Sequence, residues 1–270
     1  MKKTYRIDKD FENSRLDRWF KNKIIRIPQS LLEKNLRKGN IRVNKSKRKS
    51  SYKLKVNDTV EIINFNPYKS KKTEKFKYKA SSSEISKTSK FIIENNANFI
   101  VINKPRGIAV QSGTKSSRNI LDILQKTKYF YETKPYTVHR LDKDTSGVLL
   151  IAKNREYAQL FTSLFRIRKI HKTYLAIVLG KLEKNKGTFE DNLFYYEGNK
   201  KISTKAITHF EVIDTKKNYS FLKLNPETGR KHQIRRQLLI HGNPILGDTK
   251  YRISELARAK KNFLMLHAYK

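Results

Sequence analysis

The sequence predicts an α+β protein, with a large domain on a mixed, mainly antiparallel β-sheet and a small α/β module before it. In the C-terminal two thirds of the chain, strand-like apolar runs outnumber helical stretches, which favours this class. The strand-like runs cover residues 99–102, 148–151, 174–178 and 221–224. The helical stretches between them cover residues 120–125 and 155–165. A length of 270 residues fits one large domain and one small one.

The first 66 residues carry a pattern of their own, which predicts the small module. Apolar residues recur at helical spacing from Leu16 to Ile24, so one face of this helix is apolar. Ser30 can cap a second helix, and Gly39 stands where helices commonly end. Alternating runs predict short strands at residues 41–43, 52–54 and 60–62.

Residues 67–90 are predicted to form a basic, flexible linker, because lysine and serine dominate and apolar residues are too few for a core. Residues 91–270 are assigned to the large domain. A domain of that length buries roughly 70% of its unfolded surface, so it needs no disulfide or metal for stability. The chain has no cysteine, which excludes disulfides, thiolate nucleophiles and Cys-ligated zinc.

The charge balance predicts a polyanionic partner. Lysine and arginine number 61 against 24 acidic residues, which gives a formal net charge of +37. Nucleic acid is favoured over a membrane surface, because no long helix with a clean apolar face accompanies the charges. A general drift in composition towards lysine is the alternative. The N-terminus leads into no apolar run and no stretch is long enough to span a bilayer, so we expect a cytoplasmic protein.

The most informative stretch is residues 139–150, where a charged loop runs directly into an apolar strand. Side chains at the edge of a rigid element suit catalysis or binding. An ordinary solvated turn fits the same residue types. A divalent-metal pair of Asp142 and Asp144 is a weaker alternative, since no further acidic cluster joins them. His139, Asp142 and Ser146 include the residue types of a hydrolase triad, but the serine lacks the flanking glycines of a nucleophile elbow.

This loop resembles the signature of the RluA-type family of pseudouridine synthases, which has the form His-Arg-Leu-Asp-x-x-Thr-Ser-Gly. Every fixed position of that pattern is present in residues 139–147. The resemblance implies that Asp142 is the catalytic carboxylate and that Arg140 helps to flip the target nucleotide. It places His139 among the RNA-binding residues. It also implies the pseudouridine synthase fold, a sheet flanked by helices and loops, for residues 91–270.

Three further segments match the same family in the expected order. Residues 103–107, Asn-Lys-Pro-Arg-Gly, resemble its first motif and supply Lys104 as an RNA-binding candidate. A strand end followed by a Lys-Pro turn is the structural alternative. Residues 172–176, Lys-Thr-Tyr-Leu-Ala, resemble the segment whose tyrosine, here Tyr174, packs against the target base. A tyrosine in an apolar strand is nevertheless often a core residue.

Residues 228–235, Thr-Gly-Arg-Lys-His-Gln-Ile-Arg, resemble the third motif of the family. The resemblance implies that its last residue, Arg235, pairs with the catalytic carboxylate. Arg230 and His232 of the same motif are taken as RNA-binding residues. The alternative is a solvated helix start that faces RNA without taking part in chemistry.

The first 66 residues also have a resemblance, to the S4-type RNA-binding module. It rests on residues 15–19, Arg-Leu-Asp-Arg-Trp, and on residues 37–44 and 56–58. Two helices and a short basic strand segment would present Arg37, Lys38 and Arg42 together, which suits contacts with phosphate groups. A plain small basic domain is the alternative.

Taken together, the resemblances imply a monomeric enzyme that converts uridine to pseudouridine in structured RNA, above all large-subunit ribosomal RNA, with no metal or other cofactor. Relatives usually continue well past the counterpart of Ala268 and add a last strand, so an unpaired sheet edge is expected here. Two alternatives stay open. One is a catalytically inactive RNA-binding or ribosome-assembly protein of the same fold. The other is a metal-dependent nuclease that uses Asp142 and Asp144.

Overall fold

A computed structural model of the chain describes residues 2–65, 78, 80–112, 118–197, 200–253 and 263–270. The chain divides into two compact units, Met1–Lys75 and Phe76–Lys270. Each unit has its own apolar core. None of the helices that the structure describes is long and apolar enough to cross a membrane.

The first unit packs two helices against a small antiparallel sheet. Its elements are β1 (Lys2–Arg6), α1 (Leu16–Lys23), α2 (Gln29–Lys38), β2 (Ile41–Val43) and β3 (Thr59–Ile63). The strand order is β1-β3-β2. The predicted apolar face of α1 is buried in the core, through Leu16, Trp19 and Phe20. Leu32 and Leu36 of α2 belong to the same core, together with residues of all three strands.

Helix α2 ends, but does not begin, where the sequence predicts. Gly39 ends the helix in the left-handed conformation, with φ of +79°, as predicted. Ser30 is not the N-cap, because the helix begins at Gln29 and Pro28 takes that position without a side-chain hydrogen bond. The predicted strand at residues 52–54 is reduced to a single bridge between Lys53 and Arg15.

A helix, α3 (Ser82–Thr88), lies where the sequence predicted a flexible linker. The Ser81 hydroxyl accepts a hydrogen bond from the Glu84 N–H, and the Glu84 carboxylate accepts one from the Ser81 N–H. Arg118 pairs with the same carboxylate at 2.6 Å. The linker prediction is therefore wrong for this stretch, because a capping box and an ion pair order it despite its few apolar residues. Residues 67–77 and 79 of the predicted linker lie outside the described residues.

The second unit is built on one nine-stranded sheet. Its elements after α3 are β4 (Ile92–Asn95), β5 (Phe99–Lys104), α4 (Ile120–Leu124), β6 (Tyr136–Thr137), β7 (Ser146–Ala152), α5 (Arg155–Arg166), β8 (Tyr174–Leu179), β9 (Lys186–Glu197), β10 (Lys200–Lys216), β11 (Tyr219–Pro226), α6 (Gln233–Ile240) and β12 (Leu266–Ala268). The order is β4-β5-β7-β12-β8-β11-β10-β9, with β6 beside β7. Among the described strand pairs only β7 and β12 run parallel, so the predicted mixed, mainly antiparallel sheet is confirmed.

Strand β12 lies at the centre of this sheet and joins its two halves. Leu266 belongs to the core around β8, β11 and α6, and Ala268 to the core around β5, β7 and α4. Gly147 permits the close approach, because a Cβ atom there would lie 2.1 Å from the Ala268 carbonyl oxygen and its φ is +114°. Residues 266–268 are paired on both sides, so the expected open edge does not fall on β12.

Candidate active site

Asp142 lies on the loop between β6 and β7, and two buried neighbours fix that loop. Leu141 and Thr145 are 7% and 2% exposed, and the Thr145 N–H donates to the Asp142 carbonyl oxygen at 3.2 Å. The Asp142 side chain, 31% exposed, points into a cavity of about 670 Å³. Arg140 is exposed and lines the same cavity. Buried Leu141 and Thr145 thus anchor the loop, and the side chains of Arg140 and Asp142 lie at the cavity.

The first motif holds this loop in place through the side chain of Lys104. Lys104 is fully buried, and its ammonium donates to the carbonyl oxygens of Pro105 at 2.8 Å, Ile108 at 3.0 Å and Lys143 at 3.1 Å. Burial lowers the pKa of Lys104 to about 8, although the charges of Asp144 and Asp142 oppose the shift. The prediction that Lys104 binds RNA is wrong, because all three N–H donors are used inside the protein.

Helix α6 carries Arg235, and a hydrogen-bond network fixes where this helix begins. The Gln233 side chain accepts from the Thr228 hydroxyl at 2.7 Å and donates to the Ile207 carbonyl oxygen at 2.9 Å. These bonds tie the third motif to β10. They hold the first turn of α6 beside the loop of Asp142.

Arg235 bridges two carboxylates. Its Nη1 donates to Asp142 Oδ2 at 3.2 Å, while Nε and Nη2 donate to the two oxygens of Asp248 at 2.7 Å and 2.8 Å. Burial opposes the charge of the guanidinium, but the two carboxylates raise the pKa of Arg235 above its ordinary value. The structure thus brings Asp142 and Arg235 together, as the family motif implies.

Asp248 is the site residue that the sequence analysis missed. Its side chain is 1% exposed and also accepts the backbone N–H groups of Lys250 and Tyr251, each at 2.9 Å. Burial alone would raise its pKa, but the bonds from Arg235 and from the two N–H groups hold that pKa below its ordinary value. In the sequence, Gly247-Asp248 has the composition of an ordinary turn, so only the tertiary contact distinguishes it.

His232 is the N-cap residue of α6, in the left-handed conformation with φ of +54°. Its Nε2 lies 3.5 Å from Asp142 Oδ1, and its Nδ1 lies 2.8 Å from the Tyr251 hydroxyl. Burial lowers the pKa of His232 below its ordinary value, although the charge of Asp142 opposes the shift. The Nε2–H tautomer suits this arrangement, because the Asp142 carboxylate can only accept and the Tyr251 hydroxyl can then donate to Nδ1.

Tyr174 begins β8 and lines the same cavity as Asp142. Burial, and to a lesser degree the charge of Asp142, raises the pKa of Tyr174 to about 12. Its hydroxyl therefore stays protonated at neutral pH and can donate a hydrogen bond or a proton, but it is a poor base.

His139 has a structural role in the wall of the cavity. Its Nε2 accepts the N–H of Leu150 at 2.9 Å, and its ring stacks on Phe165 with centroids 4.6 Å apart. Burial, aided by the charge of Lys172, lowers the pKa of His139 to about 4, so the ring is neutral at neutral pH. Its contribution to RNA binding stays a prediction.

Cationic side chains surround the cavity. They include Arg140 and Arg230, which the sequence analysis named, and three that it missed, Arg166, Arg168 and Lys172. Arg230 is exposed and donates through Nε to the Lys205 carbonyl oxygen at 3.0 Å. Such a rim attracts a polyanion and leaves the carboxylate at the bottom accessible.

In the first unit, the predicted basic residues gather at the C-terminal end of α2. Arg37 and Lys38 are exposed in its last turn. Arg42 folds back, and its Nε donates to the Gly39 carbonyl oxygen at 2.9 Å. The three cations therefore sit around one helix end.

The structure separates the two acidic residues of the proposed metal pair. Asp144 is exposed and lines a different cavity, of about 370 Å³, on the side of Asp248. Within the described ranges, no three His, Asp or Glu side chains are grouped as metal ligands. The arrangement therefore gives Asp142 a guanidinium and an imidazole as neighbours rather than a second accessible carboxylate.

Comparisons with known proteins agree with this geometry. Residues 98–239 match the family described as RNA pseudouridylate synthase. A protein of Rickettsia conorii named ribosomal large subunit pseudouridine synthase C is 35% identical over 95% of this chain and 88% of its own length. Its namesake in Vibrio parahaemolyticus is 30% identical, over 91% and 78%.

A solved structure supports the fold over two thirds of the chain. The human protein RNA pseudouridylate synthase domain containing 4 shares 26% identity and superposes with a TM-score of 0.58, covering 68% of this chain and 84% of its own. The match with the family spans the loop of Asp142, Tyr174 and Arg235. The chain belongs to the RluA-type family of RNA pseudouridine synthases.

Proposed function

We propose that this protein converts uridine to pseudouridine in large-subunit ribosomal RNA and that Asp142 is its catalytic carboxylate. One observation carries the proposal: Asp142 is paired with the buried Arg235 at 3.2 Å inside a cavity whose rim is cationic. The names of the relatives supply the class of RNA.

The reaction breaks the bond between ribose C1′ and N1, turns the base, and joins C1′ to C5, after which the C5 proton moves to a nitrogen. Asp142 acts on the ribose, either by attacking C1′ or by removing a ribose proton, and its position suits both routes. Arg235 contacts one oxygen of the Asp142 carboxylate, and the Nε2–H group of His232 faces the other, so the two residues orient this carboxylate. Tyr174 packs against the base and can give, but not take, a proton.

A uridine inside a helix cannot reach Asp142, so the nucleotide leaves its stack at a cost of a few kcal/mol. Arg140 is exposed at the cavity and carries no protein hydrogen bond among the described residues. A guanidinium both stacks on a base and holds a phosphate. Arg140 therefore fills the space that the flipped nucleotide leaves.

The first unit serves in this proposal as an S4-like RNA anchor. Its support is the group of Arg37, Lys38 and Arg42 at one end of α2. In the full-length protein, Arg37→Gln with Lys38→Gln is expected to reduce the slope of log K against log salt concentration by about 1–2, because each lost phosphate contact removes about 0.7–0.9. Lys216→Gln with Lys217→Gln, where β10 leads into the turn before β11, is the control. An unchanged slope in the first variant rejects the anchor.

The test of the activity is a map of pseudouridines in large-subunit ribosomal RNA from cells with and without the protein. We expect one or more pseudouridines to disappear without it, to return with the wild type, and to stay absent with Asp142→Asn. Identical maps would favour the inactive RNA-binding alternative. We propose further that the enzyme is a cytoplasmic monomer, for which sedimentation at several concentrations is the direct check.

A further inference from the structure

A second cavity, of about 390 Å³, adjoins the cavity of Asp142. Both cavities are lined by Arg168, Lys172, Pro226 and Glu227, so they share a wall. Beyond that wall the second cavity is bordered by His171, His209 and Asn225. The two cavities are therefore neighbours, and the proposed chemistry uses only the first of them.

Lys172 stands at the border as a partly desolvated cation. Burial, with the charge of Arg168, lowers its pKa below the ordinary value. In the part of the chain that the structure describes, no carboxylate lies within ion-pair distance of its ammonium, whose one protein bond is a long one, 3.4 Å, to the Thr228 carbonyl oxygen. The nearby Glu227 is engaged by His209 at 2.7 Å. A half-buried cation without a carboxylate partner favours an anionic ligand.

The backbone holds both cations in place. Asn225 donates to the Lys172 carbonyl oxygen at 3.2 Å and to the Thr173 hydroxyl at 2.9 Å. Arg168 has φ of +60°, a conformation that is costly for a residue with a side chain. The end of α5 fixes it, since the next N–H, of Lys169, donates to the Leu164 carbonyl oxygen at 2.9 Å. The two side chains are therefore presented by ordered backbone.

We propose that the second cavity binds the nucleotide next to the target uridine, with Lys172 and Arg168 on the phosphodiester that joins the two. This inference rests on the proposed function, because a uridine at Tyr174 remains linked to its neighbours and the RNA has to leave the first cavity. Lys172 precedes Tyr174 by two residues and lines that same cavity, so it lies on this path. The imidazole rings of His171 and His209 offer faces on which the neighbouring base stacks.

The test is a binding cycle between one side chain and one phosphate. The probe is a large-subunit ribosomal RNA stem–loop that the protein binds, with single neutral methylphosphonates placed in turn on either side of each loop uridine. Affinity is measured for the wild type, Lys172→Gln, Arg168→Gln and the control Lys216→Gln. Lys216 is exposed and lies at the end of β10 and β11 away from Tyr174, since Tyr219 pairs with Leu179 and Leu224 with Tyr174. Thermal unfolding confirms that each variant is folded.

We expect Lys172→Gln to weaken binding about tenfold, as for one charge-assisted contact. One methylphosphonate should weaken the wild type by more than either single substitution does, and should weaken Lys172→Gln and Arg168→Gln less than the wild type, because each variant has already lost one of the two contacts. Losses that add at every position, or a Lys172→Gln affinity equal to that of the control, overturn the proposal. The cycle needs no catalysis, so a wild type that forms no pseudouridine contradicts the proposed function and leaves the result of the cycle readable.

Discussion

Replacing Asp248 with asparagine tests how the site is held together, because the volume is kept and one charge is removed. Arg235 is 6% exposed and makes two short bonds to Asp248, at 2.7 Å and 2.8 Å. In the variant, the amide oxygen can accept one of these, while the NH₂ group meets the other donor. A charge-assisted bond contributes about 1.5–3 kcal/mol, and breaking a buried pair costs about 3–5 kcal/mol. We therefore expect Asp248→Asn to lower the free energy of unfolding by about 3–5 kcal/mol.

The assay is urea unfolding at neutral pH, combined with steady-state kinetics in conditions where the variant is folded. We expect kcat to fall by about 10–100-fold, since a misplacement near 1 Å costs about that factor. KM for RNA should change little, because neither Asp248 nor Arg235 lies on the cationic rim. Asp214→Asn is the matched control: its carboxylate is 57% exposed and 3.9 Å from Lys216, so about 0.5 kcal/mol or less is expected.

The pH dependence has a defined sign. In the folded protein, the pKa of Asp248 lies below its ordinary value of 3.8. The ionised carboxylate therefore contributes fully to the free energy of unfolding above pH 3.8, and this contribution is lost as the pH falls through the pKa of the folded state. The difference between wild type and variant should therefore be constant above about pH 5 and narrow below about pH 4. If Asp248→Asn costs no more than Asp214→Asn and leaves kcat unchanged, the proposed role of the buried pair is refuted.

Three further predictions concern the loop of Asp142. The pKa of His139 is about 4 in the folded protein and 6.5 ordinarily, so the free energy of unfolding should fall by at most about 3 kcal/mol between pH 6.5 and 4. In urea titrations of His139→Gln, the free energy of unfolding should depend less on pH over this range. Lys104→Met should reduce kcat without changing the salt slope of RNA binding, whereas a reduced slope would restore Lys104 as a phosphate ligand. Gly147→Ala should lower the free energy of unfolding by more than about 3 kcal/mol, while Gly229→Ala, with open space at Cβ, should not.

Most elements of the fold could be predicted from local sequence patterns. The apolar face of α1, the end of α2 at Gly39, and the cores of β5, β7, β8 and β11 follow from periodicity and from glycine chemistry. The long hairpin of β9 and β10 was not predicted, because lysine, threonine and acidic residues interrupt its apolar residues along most of its length. Its strand character comes from pairing with β11, which no local window contains.

Among the site residues too, some were predictable from local motifs and others were not. The loop signature identified Asp142, and the motifs of Tyr174 and Arg235 placed the other two, because chemistry there depends on residue type. Lys104 was misassigned, because a lysine is normally solvated and its three carbonyl acceptors come from two loops that meet only in the fold. Asp248 was missed for the same reason: its role exists only once Arg235 lies against it.

The most direct test of the account compares two neighbouring carboxylates that the fold sends to different cavities. Asp142→Asn and Asp144→Asn are each given the same unmodified large-subunit ribosomal RNA in single-turnover assays, with RNA affinity measured alongside. We predict that Asp142→Asn binds the RNA almost as the wild type does and forms no pseudouridine, while Asp144→Asn remains active. The assignment of Asp142 as the catalytic carboxylate would be contradicted if Asp142→Asn formed pseudouridine. It would also be contradicted if only Asp144→Asn failed to form it.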